Sequence, residues 1–308
     1  MNSEQKWVFI INPVAGDGFA GKLEATIKEA AKTSGIIADT VLTERRGHAT
    51  GLALKYADDG YKYIIAVGGD GTFNEVASAL VNRPGIISGI VPAGTGNDFV
   101  QILGFHDRLG EEQWKELFCA NVAQLDTGIC NGHFFFNGMG LGFDAQVAAE
   151  NYTETGEEKK GDKKKYIWQI LKTILFYKEK KMTVISNGSK SITDCFINTI
   201  SIGRRFAGAF FLTPKAIADD GLLDVCSVKK LNLFQRLKIL TQVPKGNHLN
   251  DRKVHYYSTS ALDLEFDEKV PYHLDGELFF SDKFEIRVLK KSLNVIYNSS
   301  GKHYFCLS

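Results

Sequence analysis

The apolar residues of this chain follow two rhythms. Over the first third, unbroken apolar runs alternate with stretches of helical spacing. Trp7 to Ile11, Ile36 to Leu42, Tyr63 to Val67 and Ile86 to Val91 read as buried strands. Between them, roughly Gly21 to Thr33 sets Leu23, Ile27, Ala30 and Ala31 on one helical face. His48 to Ala57 gives a second helix, and Phe73 to Leu80 starts a third. Strands and helices alternating at this spacing predict βαβ units and a parallel sheet with helices on both faces. Ligands of such sheets sit beyond the carboxyl ends of the strands. Four loops leave strand ends, starting at Asn12, Thr43, Gly68 and Pro92, and three of them combine Gly with Thr, Asn or Asp.

After a further helix at Glu111 to Ala120, short β-rich segments take over. Gln124 to Cys130 and His133 to Asn137 flank Asn131-Gly132, a strong hairpin signal. Met182 to Ser186, Phe196 to Ile202, Leu222 to Val228, Val254 to Ser258, Leu262 to Phe266, Tyr272 to Leu274 and Phe284 to Val288 continue the series. They predict an antiparallel, sandwich-like second domain. The boundary falls near Gln124, giving domains at 1–124 and 125–291, with 292–308 returning to the first. Asn151 to Lys165 is charged and reads as a surface loop. Tyr166 to Lys181 carries Ile167, Ile170, Leu171, Ile174 and Leu175 at helical spacing, with Lys172, Lys178, Lys180 and Lys181. It reads as an amphipathic helix packed on the sandwich. The alternative is a basic-aromatic surface that touches anionic membrane, with Trp168 and Tyr177 near the interface.

Composition narrows the function classes. With 37 basic against 36 acidic residues, net charge gives no support to a nucleic-acid partner. Cys119, Cys130, Cys195, Cys226 and Cys306 are scattered, odd in number and without a Cys-x-x-Cys pair, which fits reduced thiols in a cytoplasmic protein. Val8 to Ile11 is too short for a signal sequence, and no apolar stretch is long enough to span a bilayer. Oligomeric state stays open, a homodimer among the options.

The chemistry is concentrated in a few motifs. Val67-Gly68-Gly69-Asp70-Gly71-Thr72-Phe73-Asn74-Glu75 is a strand, a Gly-rich turn and a helix start. Its glycines allow close backbone approach, and its amides with the helix N-terminus suit phosphate. Asp70 needs a cation, a hydroxyl or a set of donors beside it. Gly16 to Lys22 imitates a Walker A loop, but Leu23 stands where the metal-binding hydroxyl belongs. Gly140-Leu141-Gly142 imitates a dinucleotide fingerprint without its second acidic strand, so Gly138, Gly140 and Gly142 read as a close-packed chain crossing near the active site. Asp219-Asp220-Gly221 is a turn by spacing, with a Mg²⁺ loop as the alternative. His273-Leu274-Asp275-Gly276-Glu277 is either a hairpin turn with exposed acids or a carboxylate placed to take a proton from a hydroxyl. Seven histidines form no metal spacing, and no Gly-x-Ser-x-Gly elbow occurs.

Asn12-Pro13-Val14-Ala15-Gly16, Thr43, Gly68 to Glu75, Pro92-Ala93-Gly94-Thr95-Gly96-Asn97-Asp98, Asp220-Gly221-Leu222 and Asp275-Gly276-Glu277 occur in one order along almost the whole chain. Together they resemble the diacylglycerol kinase catalytic-domain family of lipid kinases, which includes bacterial diacylglycerol kinases and sphingosine kinases. The Gly-Gly-Asp-Gly turn alone is shared with NAD kinases. Its pairing with Pro-Ala-Gly-Thr-Gly-Asn-Asp is more specific. The resemblance implies a three-layer α/β/α nucleotide-binding domain and an antiparallel β-sandwich, with the active site between them. It implies that Asn12, Pro13, Val14, Ala15, Gly16, Thr43, Gly68, Gly69, Asp70, Gly71, Thr72, Phe73, Asn74 and Thr95 bind ATP, with Asp98 in a network toward the metal. It assigns Mg²⁺ to Asp220 and the carbonyls of Ile217 and Leu222. It makes Glu277 the proton acceptor, with Asp275 beside it, and which of the pair removes the proton stays open. The implied reaction is ATP- and Mg²⁺-dependent phosphorylation of a lipid hydroxyl, diacylglycerol first, by a cytoplasmic enzyme peripheral to the inner face of a membrane. Phe134 to Phe136, Phe206, Phe210 and Phe211 are candidates to line an apolar acceptor cleft. An NAD kinase-like small-molecule kinase and a non-catalytic lipid- or nucleotide-binding regulator are the competing readings.

Overall fold

The computed structural model describes residues 5–151, 172–186 and 189–306. The chain forms two compact units. The first is Met1–Thr127 with Ile217–Gly221 and Leu289–Ser308, and the second is Gly128–Ala216 with Leu222–Val288. The short return at Ile217–Gly221, which the pattern placed with the second domain, has no periodic signal of its own.

In the first unit, strands β1 (Trp7–Ile11), β2 (Ala38–Leu42), β3 (Tyr63–Gly68) and β4 (Ile87–Pro92) lie in the order β4-β3-β1-β2. All pairings are parallel, with Ile11 opposite both Leu42 and Val67, and Val67 opposite Val91. β1, β3 and β4 are buried at every position, as expected of strands covered on both faces. The helices are α1 (Glu24–Thr33), α2 (His48–Asp58), α3 (Asp70–Leu80) and α4 (Glu111–Cys119). Strand order reverses after β2, so right-handed crossovers place α1 on one face and α2 and α3 on the other. Phe118 of α4 packs its ring against Trp7 and Phe9. The connections leaving β1 and β3, neighbours in the sheet, therefore diverge to opposite faces. That divergence opens a crevice at their carboxyl ends.

β5 (Val122–Cys130) leads into the second unit, where β6 (His133–Phe135), β7 (Gly138–Gly142), α5 (Phe143–Asn151), β8 (Lys180–Ser186), β9 (Ser189–Cys195), β10 (Ile197–Ser201), β11 (Leu223–Val228), α6 (Leu233–Gln242), β12 (Val254–Thr259), β13 (Ala261–Leu274) and β14 (Glu277–Ile296) follow. β13 is one long strand with an irregularity between Glu265 and Val270. Its first half pairs with β8, which pairs with β9, and its end pairs with β7, which continues through β10 and β11 to β12. The bulge thus lets one strand serve both layers of an antiparallel sandwich. β14 runs back into the first unit, where Val295 lies parallel to Ser88 of β4.

Several expectations are corrected. Gly138 to Gly142 is not a chain crossing but the β7 strand, flanked by β10 and β13. Its glycines are needed because neighbours fill the side-chain space: Phe206 and Ser201 at Gly138, Asp144 and His273 at Gly140. Gly16 to Lys22 is not a P-loop, as Leu23 already implies, and the helix expected from Gly21 starts later. Gly16 and Asp17 are left-handed, a 3₁₀ turn spans Ala20–Leu23, and the helix begins only at Glu24. Residues 152–171, including Trp168 and most of the charged loop, lie outside the described residues. Residues 172–176 are helical. Tyr177 is turned inward onto Phe143 and Phe196 rather than toward an interface. All five cysteines are free thiols. Among the described residues no helix is long and apolar enough to cross a membrane.

Candidate active site

Three strand-end loops of the first unit meet through their glycines. A Cβ on Gly94 would collide with the backbone of Gly69, and one on Gly16 would strike the Ala93 carbonyl. Only glycine permits the close approach of the loops after β1, β3 and β4. Across the crevice, Asn12 Nδ2 donates to Thr72 Oγ1 at 3.2 Å, and Asn12 Oδ1 accepts from the Val14 N–H at 3.3 Å. One asparagine therefore ties the first loop to the first turn of α3. That helix starts at Asp70 with Gly69 extended ahead of it and no side-chain cap. Its N-terminus keeps backbone donors for an anion. Gly71, Thr95, Gly96 and Val14 are exposed, whereas Thr43 and Thr72 are buried.

Asp70 has the donors that a carboxylate beside a phosphate site requires. Its two oxygens accept from the Asp98 N–H at 3.0 Å and the Phe99 N–H at 3.1 Å. The Phe73 ring is buried and stacks on Phe99 at 3.9 Å, so Phe73 is core and can meet a ligand only through its backbone. Asn97 closes the next turn, accepting from the Gly94 N–H at 3.2 Å and donating to the Gly94 carbonyl at 3.1 Å. Asn74 accepts from Ser78 within the same helix.

Three further residues take roles that the motifs do not assign, although Glu75 lies within the Gly-rich one. The Arg108 guanidinium donates to the Gly94 carbonyl at 3.3 Å and lies 4.6 Å from the Phe19 ring centre, placing an exposed cation beside two of the loops. Glu75 accepts from the Gly47 and Ala49 N–H groups at 2.8 and 3.1 Å, and so caps α2, which has no cap of its own. Asp126 stands in the apolar strand β5, fully buried, and accepts from the Gly221 N–H at 2.5 Å and the Lys291 N–H at 2.7 Å. Its one available signal is that polar interruption of an apolar run.

Asp126 connects to the candidate metal loop. Desolvation pushes its carboxyl above the usual range, two backbone N–H bonds oppose this, and the charges of Asp220 and Asp219 push further upward. Asp219 accepts from the Cys306 N–H at 2.7 Å, and Asp220 is exposed. Three neighbouring carboxylates, one of them desolvated, are a donor set that a cation would relieve. The turn therefore fits a cation such as the expected Mg²⁺, which Asp220 with the main-chain carbonyls of Ile217 and Leu222 would hold. Among the described residues no group of three or more His, Cys, Asp or Glu side chains forms a cage by itself.

In the second unit, Asp275 and Gly276 both have positive φ and join Leu274 to Glu277, a two-residue hairpin of the Asp-Gly kind. The motif is a turn, as its spacing suggests, but Asp275 is not a free acid. Its carboxylate accepts from the N–H groups of Phe136, Asn137 and Gly138 at 2.8, 3.0 and 2.8 Å. It acts as a clamp on the strand entering β7. Glu277 is half-buried at the start of β14. Nearby, His273 Nε2 lies 3.4 Å from Asp144 Oδ2 across Gly140. Of the phenylalanines proposed for a lipid cleft, Phe135 and Phe136 are core, Phe206 is buried in the apolar cluster around Phe143 and Phe196, and Phe134, Phe210 and Phe211 are half-buried.

Comparison with known proteins matches residues 6–130 to the diacylglycerol kinase catalytic domain, and residues 137–297 to the YegS C-terminal NAD kinase β-sandwich-like domain. The chain is 28% identical over 276 residues to a diacylglycerol kinase of Bacillus subtilis, covering 87% of this chain and 88% of that protein. It is 26% identical over 237 residues to a probable lipid kinase of YegS-like type from Shewanella frigidimarina, covering 76% and 75%. In fold it is similar to a solved Bacillus anthracis protein described as a candidate diacylglycerol kinase, with a TM-score of 0.81, 24% identity and 98% of each chain covered.

Proposed function

The chain belongs to the diacylglycerol kinase catalytic-domain family, with its NAD-kinase-like β-sandwich, and we propose that it transfers the γ-phosphoryl group of ATP to a lipid hydroxyl, with diacylglycerol as the first-choice acceptor and phosphatidic acid as the product. The observation that carries this reading is the loop constellation at the β1/β3 crevice. Asn12 bridges to Thr72, Gly69 packs on Gly94, and Asp70 holds the Asp98–Phe99 backbone. Phosphoryl transfer asks mainly for positioning and charge neutralisation. In this reading the Gly-rich amides hold the phosphates, with Thr95 and the α3 N-terminus at the exposed rim. The acceptor oxygen forms its bond to the γ-phosphorus, the bond from that phosphorus to the ADP oxygen breaks, and Glu277 takes the hydroxyl proton. Asp275 keeps the turn before Glu277 in place through its three N–H partners. Mg²⁺ at Asp220 would supply positive charge to the Asp126–Asp219–Asp220 group. The enzyme would work in the cytoplasm, at the inner membrane face where its acceptor resides.

The test is incubation with γ-labelled ATP, Mg²⁺ and a total membrane lipid extract, followed by identification of the labelled product. Labelled phosphatidic acid is the expected result, another labelled lipid would move the acceptor, and no labelled lipid would end the reading. NAD in place of lipid tests the competing reading that the sandwich similarity raises.

A further inference from the structure

The loops after β1, β3 and β4 that form the candidate nucleotide site carry the wrong charge for their ligand. Across 12–18, 68–75 and 92–98 they contain no Lys or Arg, but they include Asp17, Asp70, Glu75 and Asp98. Backbone amides and the α3 N-terminus supply only partial positive charge. A nucleoside triphosphate strings several full negative charges together, and a site that holds it gains from a formal cation beside the amides. The fold brings one to these loops from outside the motifs, Arg108.

The hydrogen bonds of Arg108 all go to main-chain carbonyls. Nη1 donates to Asp107 at 2.8 Å, to Gly94 at 3.3 Å and to Pro92 at 3.5 Å, and Nη2 donates to Gly94 at 3.3 Å. The Gly94 carbonyl thus receives the end of the guanidinium, where Nη1 and Nη2 face the same way. The side edge, formed by the Nε–H and the second hydrogen of Nη2, has no acceptor among the described residues. That edge matches two oxygens of one phosphate. The half-buried Phe19 ring, with its centre 4.6 Å from the guanidinium carbon, covers one face of the group. Among the described residues no carboxylate pairs with Arg108, Asp17 of the Phe19 loop included, so its charge is not already neutralised. Its anchor stands where the loops converge: Gly94 packs on the Gly69 backbone, and the Ala93 carbonyl closes on Gly16. An exposed cation is therefore fixed at the junction of three loops, beside exposed Thr95.

We propose that Arg108 binds the polyphosphate of the nucleotide, its Nε and Nη2 edge donating to two oxygens of one phosphate while Nη1 stays on the main chain. The inference rests on the nucleotide reading of the loops and adds the formal cation that the Gly-rich motifs lack. The guanidinium selects for a phosphate chain and contributes little to a bare nucleoside.

The experiment is a set of binding titrations followed by NMR, with Mg²⁺ and without lipid. The ligands are ATP, inorganic tripolyphosphate and adenosine, and the proteins are wild type, Arg108→Ala and Arg108→Lys. Arg108→Ala should weaken ATP and tripolyphosphate roughly tenfold to a hundredfold and leave adenosine within about twofold of wild type. Arg108→Lys keeps the charge without the two-pronged edge and should fall between the two. Unchanged circular dichroism and melting establish that both variants fold. Adenosine controls for the clip on the Gly94 loop: equal weakening of all three ligands would reduce Arg108 to loop support and overturn the inference. Unchanged ATP affinity in Arg108→Ala would overturn it too, with the nucleotide reading intact. Wild-type protein that binds neither ATP nor tripolyphosphate would end the nucleotide reading and this inference with it. Tripolyphosphate binding that depends on Arg108, without any binding of ATP, would support the anion role and end the kinase reading alone.

Discussion

Asp70→Asn separates a carboxylate that holds a loop from one that acts only in chemistry. The wild-type side chain receives two backbone N–H bonds, from Asp98 at 3.0 Å and Phe99 at 3.1 Å. Bonds to a charged acceptor contribute about 1.5–3 kcal/mol each. Asparagine keeps one acceptor oxygen and turns an amide NH₂ toward the second N–H, so one bond is replaced by donor facing donor. A loss of about 2–3 kcal/mol follows for the first unit. Loosening the stacked Phe73–Phe99 pair adds at most about 1 kcal/mol. Urea unfolding followed by tryptophan fluorescence reads this in a Trp168→Phe background, where the remaining Trp7 and Trp114 both lie in the first unit. Amide exchange at Phe99 should accelerate in parallel. If Asp70→Asn unfolds within about 0.5 kcal/mol of wild type, with Phe99 exchange unchanged, the loop-holding role is wrong.

Other perturbations follow from single contacts. Glu75→Ala removes two N–H bonds from the start of α2 and should lower stability by about 1–2 kcal/mol, checked by denaturant titration. Arg236→Met leaves Glu179 buried without its partner and should lower stability of the second unit by about 3–5 kcal/mol, or prevent folding. Glu179→Gln/Arg236→Met together should recover part of that loss. His248 is held neutral: burial lowers its pKa, outweighing the Leu212 carbonyl bond that raises it. The unfolded chain then binds the proton more readily, so this stabilising contribution is present above the unfolded pKa of about 6.5 and is lost as pH falls below it. Thermal melts at pH 7.5 and 5.5 should differ less for His248→Gln than for wild type.

The parallel half of the fold is legible because its strands are buried on both faces and its glycine loops fall at strand ends. The strand starting near Ile86 and the helix starting near His48 need only small adjustments. The second half is less so, for identifiable reasons. Gly138 to Gly142 has hardly any side chains with which to alternate, because Phe206, Asp144 and His273 occupy that space from neighbouring elements. β9 runs along an edge with Ser189 to Ile192 exposed, so it shows no buried face. β13 and β14 read as fragments because the irregularity between Glu265 and Val270 breaks the period. At the site, the Gly-rich turns and the Asp-Gly hairpin carry local chemistry that composition reveals. Arg108, Asp126 and the clamp made by Asp275 depend on partners 14 to 165 positions away, and no local pattern encodes those.

The most direct measurement is transfer of labelled γ-phosphate from ATP to diacylglycerol in mixed micelles, run on wild type and on Glu277→Gln of verified equal stability. The account predicts labelled phosphatidic acid from wild type and a fall in kcat of about 10²–10⁴-fold for the variant. Full turnover by Glu277→Gln, or no labelled lipid from folded wild-type protein, would contradict it.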